Sequence, residues 1–372
     1  MNTNQHQANN DTTDNLLFSK KDMIFVAITV FIAGWIVKIP RLIHQEEDLF
    51  FARNIGFIVF PALLFYFTWK RKANFKTLIL PAIILLTAAI FINSLPQDEK
   101  SDTLILSCIH LPILIWSLVG FAFSGSNPKN ILERVGFLRF NGDLVVMGAV
   151  MMLAAGLFTA ITMVLYNLIG MDIEDFYISY VVTWGLPAIP IIATVLVTNN
   201  TTLVGRVSPI IAKIFTPFVF VSLAIFLGAV IGTGKDPYND REFLVVFNGL
   251  LIGVMAIILF SLSEVTKGKK NKIQLLFLIS LSLLTIIDNG IALSAIVFRL
   301  TEYGVTPNRI AVLGSNLLML THLSMITYQL IKILNKDAEL IEVEKTIGKF
   351  LPLYAAWAVV IVFLFPVLFD YK

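Results

Sequence analysis

Charge is what this sequence has least of. Only 14% of its 372 residues are Asp, Glu, Lys or Arg, against roughly 25% in a soluble domain. Cysteine is nearly missing too. Cys108 stands alone inside an apolar run, which excludes an internal disulfide and leaves the redox compartment unread. The four histidines, His6, His44, His110 and His322, show no pairing at ligand spacing, so no structural zinc site is expected. The phosphate-cradling glycine loop, H-E-x-x-H, G-x-S-x-G and C-x-x-C are all missing, and no cofactor motif takes their place. A net charge of +3, scattered along the chain, gives no basic groove for a nucleic-acid partner.

What the sequence has in quantity is hydrocarbon. Hydrophobic residues make up 57% of it, and its mean hydropathy is +0.82. A bilayer core of ~30 Å takes about 20 apolar residues in a helix. Runs near that length recur at 22–39, 54–69, 76–93, 103–123, 143–169, 177–197, 210–232, 242–262, 273–298, 310–334 and 350–369. The pattern predicts an all-α polytopic bundle of eleven transmembrane helices. It forms one helical domain over 21–372, in contact with the lipid bilayer, behind a polar, disordered tail over 1–20. The first run ends in Lys38-Ile39-Pro40-Arg41 rather than in a small-residue cleavage site, and so reads as a retained helix.

Cytoplasmic loops carry the excess of Lys and Arg. With faces numbered alternately from the N-terminus, one side collects 19 of the 28 Lys and Arg residues. The other side holds the acidic clusters Glu46-Glu47-Asp48, Asp98-Glu99 and Asp172-x-Glu174-Asp175. The N-terminus is therefore expected in the cytoplasm and the C-terminus outside. On the cytoplasmic side, 129–140 carries Ile131, Leu132, Val135 and Leu138 at helical spacing, with Lys129, Glu133 and Arg134 elsewhere. This predicts a short amphipathic helix on the membrane surface, either a plain connector or a docking helix for a protein partner.

No connection is long enough for a soluble domain, so candidate sites reduce to polar residues within or at the rim of the membrane. The foremost is Asp288-Asn289-Gly290 in the ninth run, because a carboxylate in hydrocarbon is costly and marks a functional position. Arg299, eleven residues on, falls on about the same helix face. A buried latch between helices and a proton-handling site both fit Asp288. The outer loop 235–242 brings Asp240, Arg241 and Glu242 to the start of the eighth helix, with Asn248 beyond. Capping explains Asp240. It does not explain Arg241, a cation at the positive end of a helix dipole. A second outer loop, 299–309, carries Arg299, Glu302, Tyr303, Asn308 and Arg309, with Asn316 further into the tenth helix. These groups converge either on one extracytoplasmic vestibule or on a structural network of rim ion pairs. Gly228-x-x-x-Gly232 and Gly249-x-x-x-Gly253 predict close helix approach.

Two stretches resemble a known family: Tyr238-x-Asp240-Arg241-Glu242-Phe243-Leu244-x-Val246-Phe247-Asn248 and Glu302-Tyr303-Gly304-x-Thr306-Pro307-Asn308-Arg309-x-Ala311-Val312-Leu313-Gly314-x-Asn316. Together with Arg53-Asn54 and Phe60-Pro61-Ala62-Leu63 they are similar to the bacterial multi-pass membrane proteins grouped as domain of unknown function 4153. The resemblance implies a bacterial inner membrane and a helical bundle, and brings no activity with it. Three readings of function follow. One is binding or transport of a small solute, with Asp288 handling a proton or cation and Arg241, Arg299 and Arg309 holding an anion. Another is a non-catalytic partner or scaffold protein. The third is a lipid-linked transferase or hydrolase, with Asp240 and Glu242 as acid or base.

Overall fold

The computed structural model describes residues 18–98, 100–125, 129–168, 171–200, 216–225, 227–228, 232, 238, 241–265, 272–335 and 339–371. Among them the elements are all helical: α1 (Lys20–Leu42), α2 (Glu47–Lys70), α3 (Phe75–Ser94), α4 (Asp102–Phe123), α5 (Ile131–Leu168), α6 (Glu174–Asn199), α7 (Thr216–Ile225), α8 (Arg241–Val265), α9 (Lys272–Tyr303), α10 (Pro307–Leu334) and α11 (Leu340–Leu368). Eight of these are long and apolar enough to cross a membrane, and shorter apolar helices lie within α3, α7 and α8. The protein is an integral membrane protein with the expected all-α polytopic fold. Most of the tail expected over 1–20 lies outside the described residues, as do Gly234–Pro237, Asn239 and Asp240 of the loop before α8.

Local chemistry sets several helix starts. Ser19 and Asp22 form a reciprocal capping box at α1: Asp22 N–H donates to Ser19 Oγ at 3.1 Å, and Asp22 Oδ2 receives the Ser19 N–H and hydroxyl. Ser101 Oγ caps α4 through the Leu104 N–H at 3.2 Å. Thr306 caps α10, with Pro307 at a position whose N–H no helix needs.

Two boundaries differ from the hydropathy pattern. The segment expected as a separate surface helix near 129–140 is the start of α5, which runs unbroken for 38 residues, roughly 57 Å. Part of its apolar stripe is covered by the chain itself: Val135 is buried beside Phe137 and Phe140 and Ile131 lies on Gly348, while Leu132 is exposed. The loop expected over 299–309 shrinks to 304–306. Arg299, Glu302 and Tyr303 are helical, and Asn308 and Arg309 sit in the first turn of α10. Gly304, at φ +80°, supplies the left-handed residue that closes α9.

The helices group into two compact units, divided within α5. The first comprises residues 1–47 and 143–206. In it α1 packs on α6 through Phe31, Trp35 and Trp184, and Gly34 admits the Trp184 ring, which a Cβ would meet at 2.6 Å. The second comprises 48–142 and 207–372. Its main core runs through α8, α9, α10 and α11. Close approach there occurs at Gly142, against Phe260, and at Gly314, against Trp357. At Gly228, Gly232, Gly249 and Gly253 an added Cβ would meet nothing within 4 Å, so the tight packing predicted from their spacing is not found among the described residues.

Proline shapes α11. A proline within a helix leaves the carbonyl four residues back without its N–H partner, and in lipid such a carbonyl has no water to turn to. Pro352 frees the Gly348 carbonyl, and Arg134 Nη1 of α5 donates to it at 3.1 Å. Pro366 frees the Val362 carbonyl, and Ser107 Oγ of α4 donates to that one at 3.2 Å. The second proline follows a π-helical turn over Val360–Leu364.

Candidate functional site

α9 and α10 form an antiparallel hairpin around the connection 304–306. Counted outward from between Val305 and Thr306, buried positions on the two helices fall in register. Leu278 matches Ile333, Leu281 matches Leu330, Thr285 matches Ile326, Ala292 matches Met319, and Ala295 matches Asn316. By the same count Asp288 and Asn289 match Leu323 and His322. Small residues opposite larger ones let the hairpin close, and its buried positions are apolar or neutral polar.

Asp288 is the exception. It is 0% exposed, and neither carboxylate oxygen has a hydrogen-bond partner. Because α9 continues to Tyr303, Asp288 lies at mid-height of the helix, roughly 24 Å from Lys272. Arg299 lies ~16 Å further along the same helix and cannot reach it. Among the described residues no cation comes within ion-pair distance of Asp288, so the latch anticipated for it is not formed there. Beside it, Asn289 is 2% exposed and its Oδ1 also lacks a partner. On α10, His322 is 0% exposed. Its Nδ1 meets Tyr354 Oη at 3.1 Å, its ring stacks on Phe350 at 4.3 Å, and its Nε2 is unpartnered.

The asparagines singled out on α8 and α10 do meet. Asn316 Nδ2 donates to Asn248 Oδ1 at 2.7 Å, while Asn248 Nδ2 donates to the Leu244 carbonyl. This buried clamp joins α8 to α10 about two turns closer to the connection than Asp288. Arg309 serves the connection itself. Its Nη1 donates to the carbonyls of Tyr303 at 2.8 Å and Gly304 at 2.5 Å, and its guanidinium lies 5.7 Å from the Tyr303 ring centre. That closes the end of α9 and leaves Arg309 a structural task. Arg299 differs: its Nη1 is buried without an acceptor, and its guanidinium stands 6.0 Å from the Tyr303 ring centre. Glu302 is exposed and Asn308 half-buried. Tyr238 meets Ser294 Oγ at 3.0 Å and packs edge-on against Phe298. Arg241 and Glu242 begin α8, but their side chains, like all of Asp240, lie outside the described residues.

Three polar clusters escape a reading by hydropathy. Arg53, 2% exposed, donates through Nη2 to the Leu95 and Pro96 carbonyls at 3.0 and 2.9 Å, just past the end of α3. A cation is favoured at a helix C-terminus, so this arginine needs no carboxylate. Asn54 and Asn93 exchange reciprocal amide bonds of 3.0 and 2.9 Å between α2 and α3. Arg139 pairs with Glu344 and donates to the Ser263 carbonyl at 2.6 Å, tying α5 to the ends of α11 and α8. The only sequence signal for these was a polar residue inside an apolar run, and it does not name the partner. Compared with protein-family models, with curated proteins and with solved structures, the chain matches none.

Proposed function

We propose that the protein is a transporter in the inner membrane of a bacterium that couples the passage of a small anion to movement of a proton or other small cation. The observation that carries this reading is Asp288, whose two carboxylate oxygens are buried at mid-height of an apolar helix with no partner. An ionised carboxylate left alone in hydrocarbon is costly. A structural latch would place a fixed counter-charge beside it. A site visited by a mobile cation leaves the oxygens open, as here.

Arg299 supports the anionic half of the reading. Its buried, acceptor-free Nη1 is a donor of the kind an anion occupies. On the same helix, roughly 16 Å apart, stand an unpaired acid and an unpaired base end. The membrane assignment to a bacterium rests on the loop motifs at 238–248 and 302–316, and the orientation on the alternating Lys and Arg bias.

The test uses proteoliposomes loaded with pyranine and given an acid-outside gradient. Uptake of labelled phosphate, carboxylates and acidic amino acids is followed together with internal pH. At least one of these anions is expected to enter with protons, and Asp288→Asn is expected to reduce that entry at least tenfold. If no anion enters with protons, or if the variant carries one as fast as the wild type, the reading is wrong.

A further inference from the structure

The hairpin register puts more than Asp288 at mid-height of the α9–α10 pair. Asp288 and Asn289 on α9 stand at the depth of His322 on α10, and all three are at most 2% exposed. Their unsatisfied atoms are Asp288 Oδ1 and Oδ2, Asn289 Oδ1 and His322 Nε2. Every oxygen among them is an acceptor. Nε2 of the imidazole is an acceptor in the tautomer whose Nδ1 hydrogen is donated to Tyr354 Oη, and a donor in the one whose Nδ1 accepts from the tyrosine hydroxyl. Three buried oxygens facing no donor are costly as they stand, and Nε2 is a fourth acceptor in one of its two tautomers. A guest that is all donor, or a bare cation, satisfies them together.

We propose that Asp288, Asn289 and His322 form one buried site for a small cation, a proton or a sodium ion. The inference rests on the reading of Asp288 given above and extends it to a constellation. His322 is held for the task from the side of α11: Phe350 covers one ring face and Tyr354 engages Nδ1. α10 packs against both α9 and α11, and Nε2 is the ring nitrogen that α11 leaves free. Hard oxygen ligands suit sodium, and a carboxylate with an imidazole suits a proton. On the elements packed round the site, the titratable groups at mid-membrane among the described residues are Asp288, His322 and Tyr354, with Cys108 and His110 further off on α4. His110 Nδ1 is taken by the Leu106 carbonyl at 2.8 Å. The remaining charges of α9 to α11 are Lys272, Arg299, Glu302, Arg309, Lys332, Glu342, Glu344 and Lys345 towards the helix ends and the exposed Lys349 next to Phe350, while Arg241, Glu242 and Glu264 stand at the ends of α8 with side chains outside the described residues.

The test is thermal unfolding of the purified full-length chain in detergent. One arm exchanges choline chloride for sodium chloride at constant ionic strength, and the other lowers the pH from 8 to 5.5 in choline chloride. A ligand at many times its Kd stabilises the folded state, and the wild-type Tm is expected to rise by about 5 °C in one arm. Asp288→Asn, Asn289→Leu and His322→Leu are each expected to abolish that rise. His322→Gln, which keeps an acceptor without a titrating ring, separates the sources: it retains the rise in the sodium arm and loses it in the acid arm. As a check independent of folding yield, the imidazole resonance that His322→Gln deletes is expected to shift its titration midpoint in Asp288→Asn. A wild-type Tm that moves in neither arm overturns the site. So does a rise lost in Asp288→Asn but kept in both Asn289→Leu and His322→Leu, or a His322 resonance indifferent to Asp288. If anion uptake persists while these results fail, the site is wrong and the transport reading stands. If the Tm rise follows the three residues while no anion moves, the reverse holds.

Discussion

Single residues in this protein divide into those whose polar atoms are met and those whose atoms are left over. Asn248 and Asn316 belong to the first group, and their amide bond predicts a particular pattern of cost. Either Asn→Leu change alone strands one amide in the core, which costs about 1–3 kcal/mol. The double Leu replacement removes both and is expected to cost less than the two singles added, with a coupling of about 0.5–1.5 kcal/mol in a double-mutant cycle of urea or thermal unfolding. Additive losses would show that the clamp contributes nothing. Glycines obey a similar division. Gly142→Ala drives a Cβ to 1.8 Å from the Phe260 ring and is expected to lower the Tm, whereas Gly249→Ala and Gly253→Ala meet open space. These last two are expected to be neutral or to stabilise by up to about 1 kcal/mol through helix propensity. The sequence suggested the opposite ranking, because G-x-x-x-G spacing states that an approach is possible and not that it is made. Asp288, by contrast, was legible at once. A lone acid in a run of Leu, Ile and Val is conspicuous, but its partner in depth, His322, lies 34 positions away and needed the hairpin register to be seen.

At the scale of elements, apolar runs gave the helices and misjudged their ends. α9 outlasts its hydrophobic run because Gly304 and the Thr306-Pro307 cap fit the whole reversal into three residues. α5 begins a dozen residues before its run because Arg134, Val135, Phe137 and Arg139 find partners in the second unit. Helix α11 offers a test of how such partners act. In Pro352→Ala the regained N–H serves the Gly348 carbonyl, and the Arg134 guanidinium loses its role there. Arg134→Met is therefore expected to destabilise the wild type by about 1–3 kcal/mol and the Pro352→Ala background by clearly less. Equal losses in both backgrounds would mean that the arginine acts elsewhere. Ser107→Ala at Pro366 is expected to show the same dependence, at about 0.5–1.5 kcal/mol.

For the molecule as a whole, the eleven apolar runs and their alternating Lys and Arg bias predict termini on opposite sides of the bilayer, with the N-terminus inside. Reporter fusions are expected to be active in the cytoplasm at the N-terminus and in the extracytoplasmic space at the C-terminus. Both termini on one side would mean an even number of spans. The polytopic bundle was readable from composition and run length alone, since hydrocarbon thickness fixes the length of a spanning helix. The division into two compact units was not, because the break falls inside α5, where the apolar run begins at 143 but the helix continues unbroken, and the start of a run does not announce a change of unit. The prolines of α11 bear on how such a chain assembles. Helix α11 cannot hold its own bends closed: it depends on a serine and an arginine made more than two hundred residues earlier. Its shape is thus an instruction delivered by helices made before it, and α11 settles into its bends only once α4 and α5 are in place.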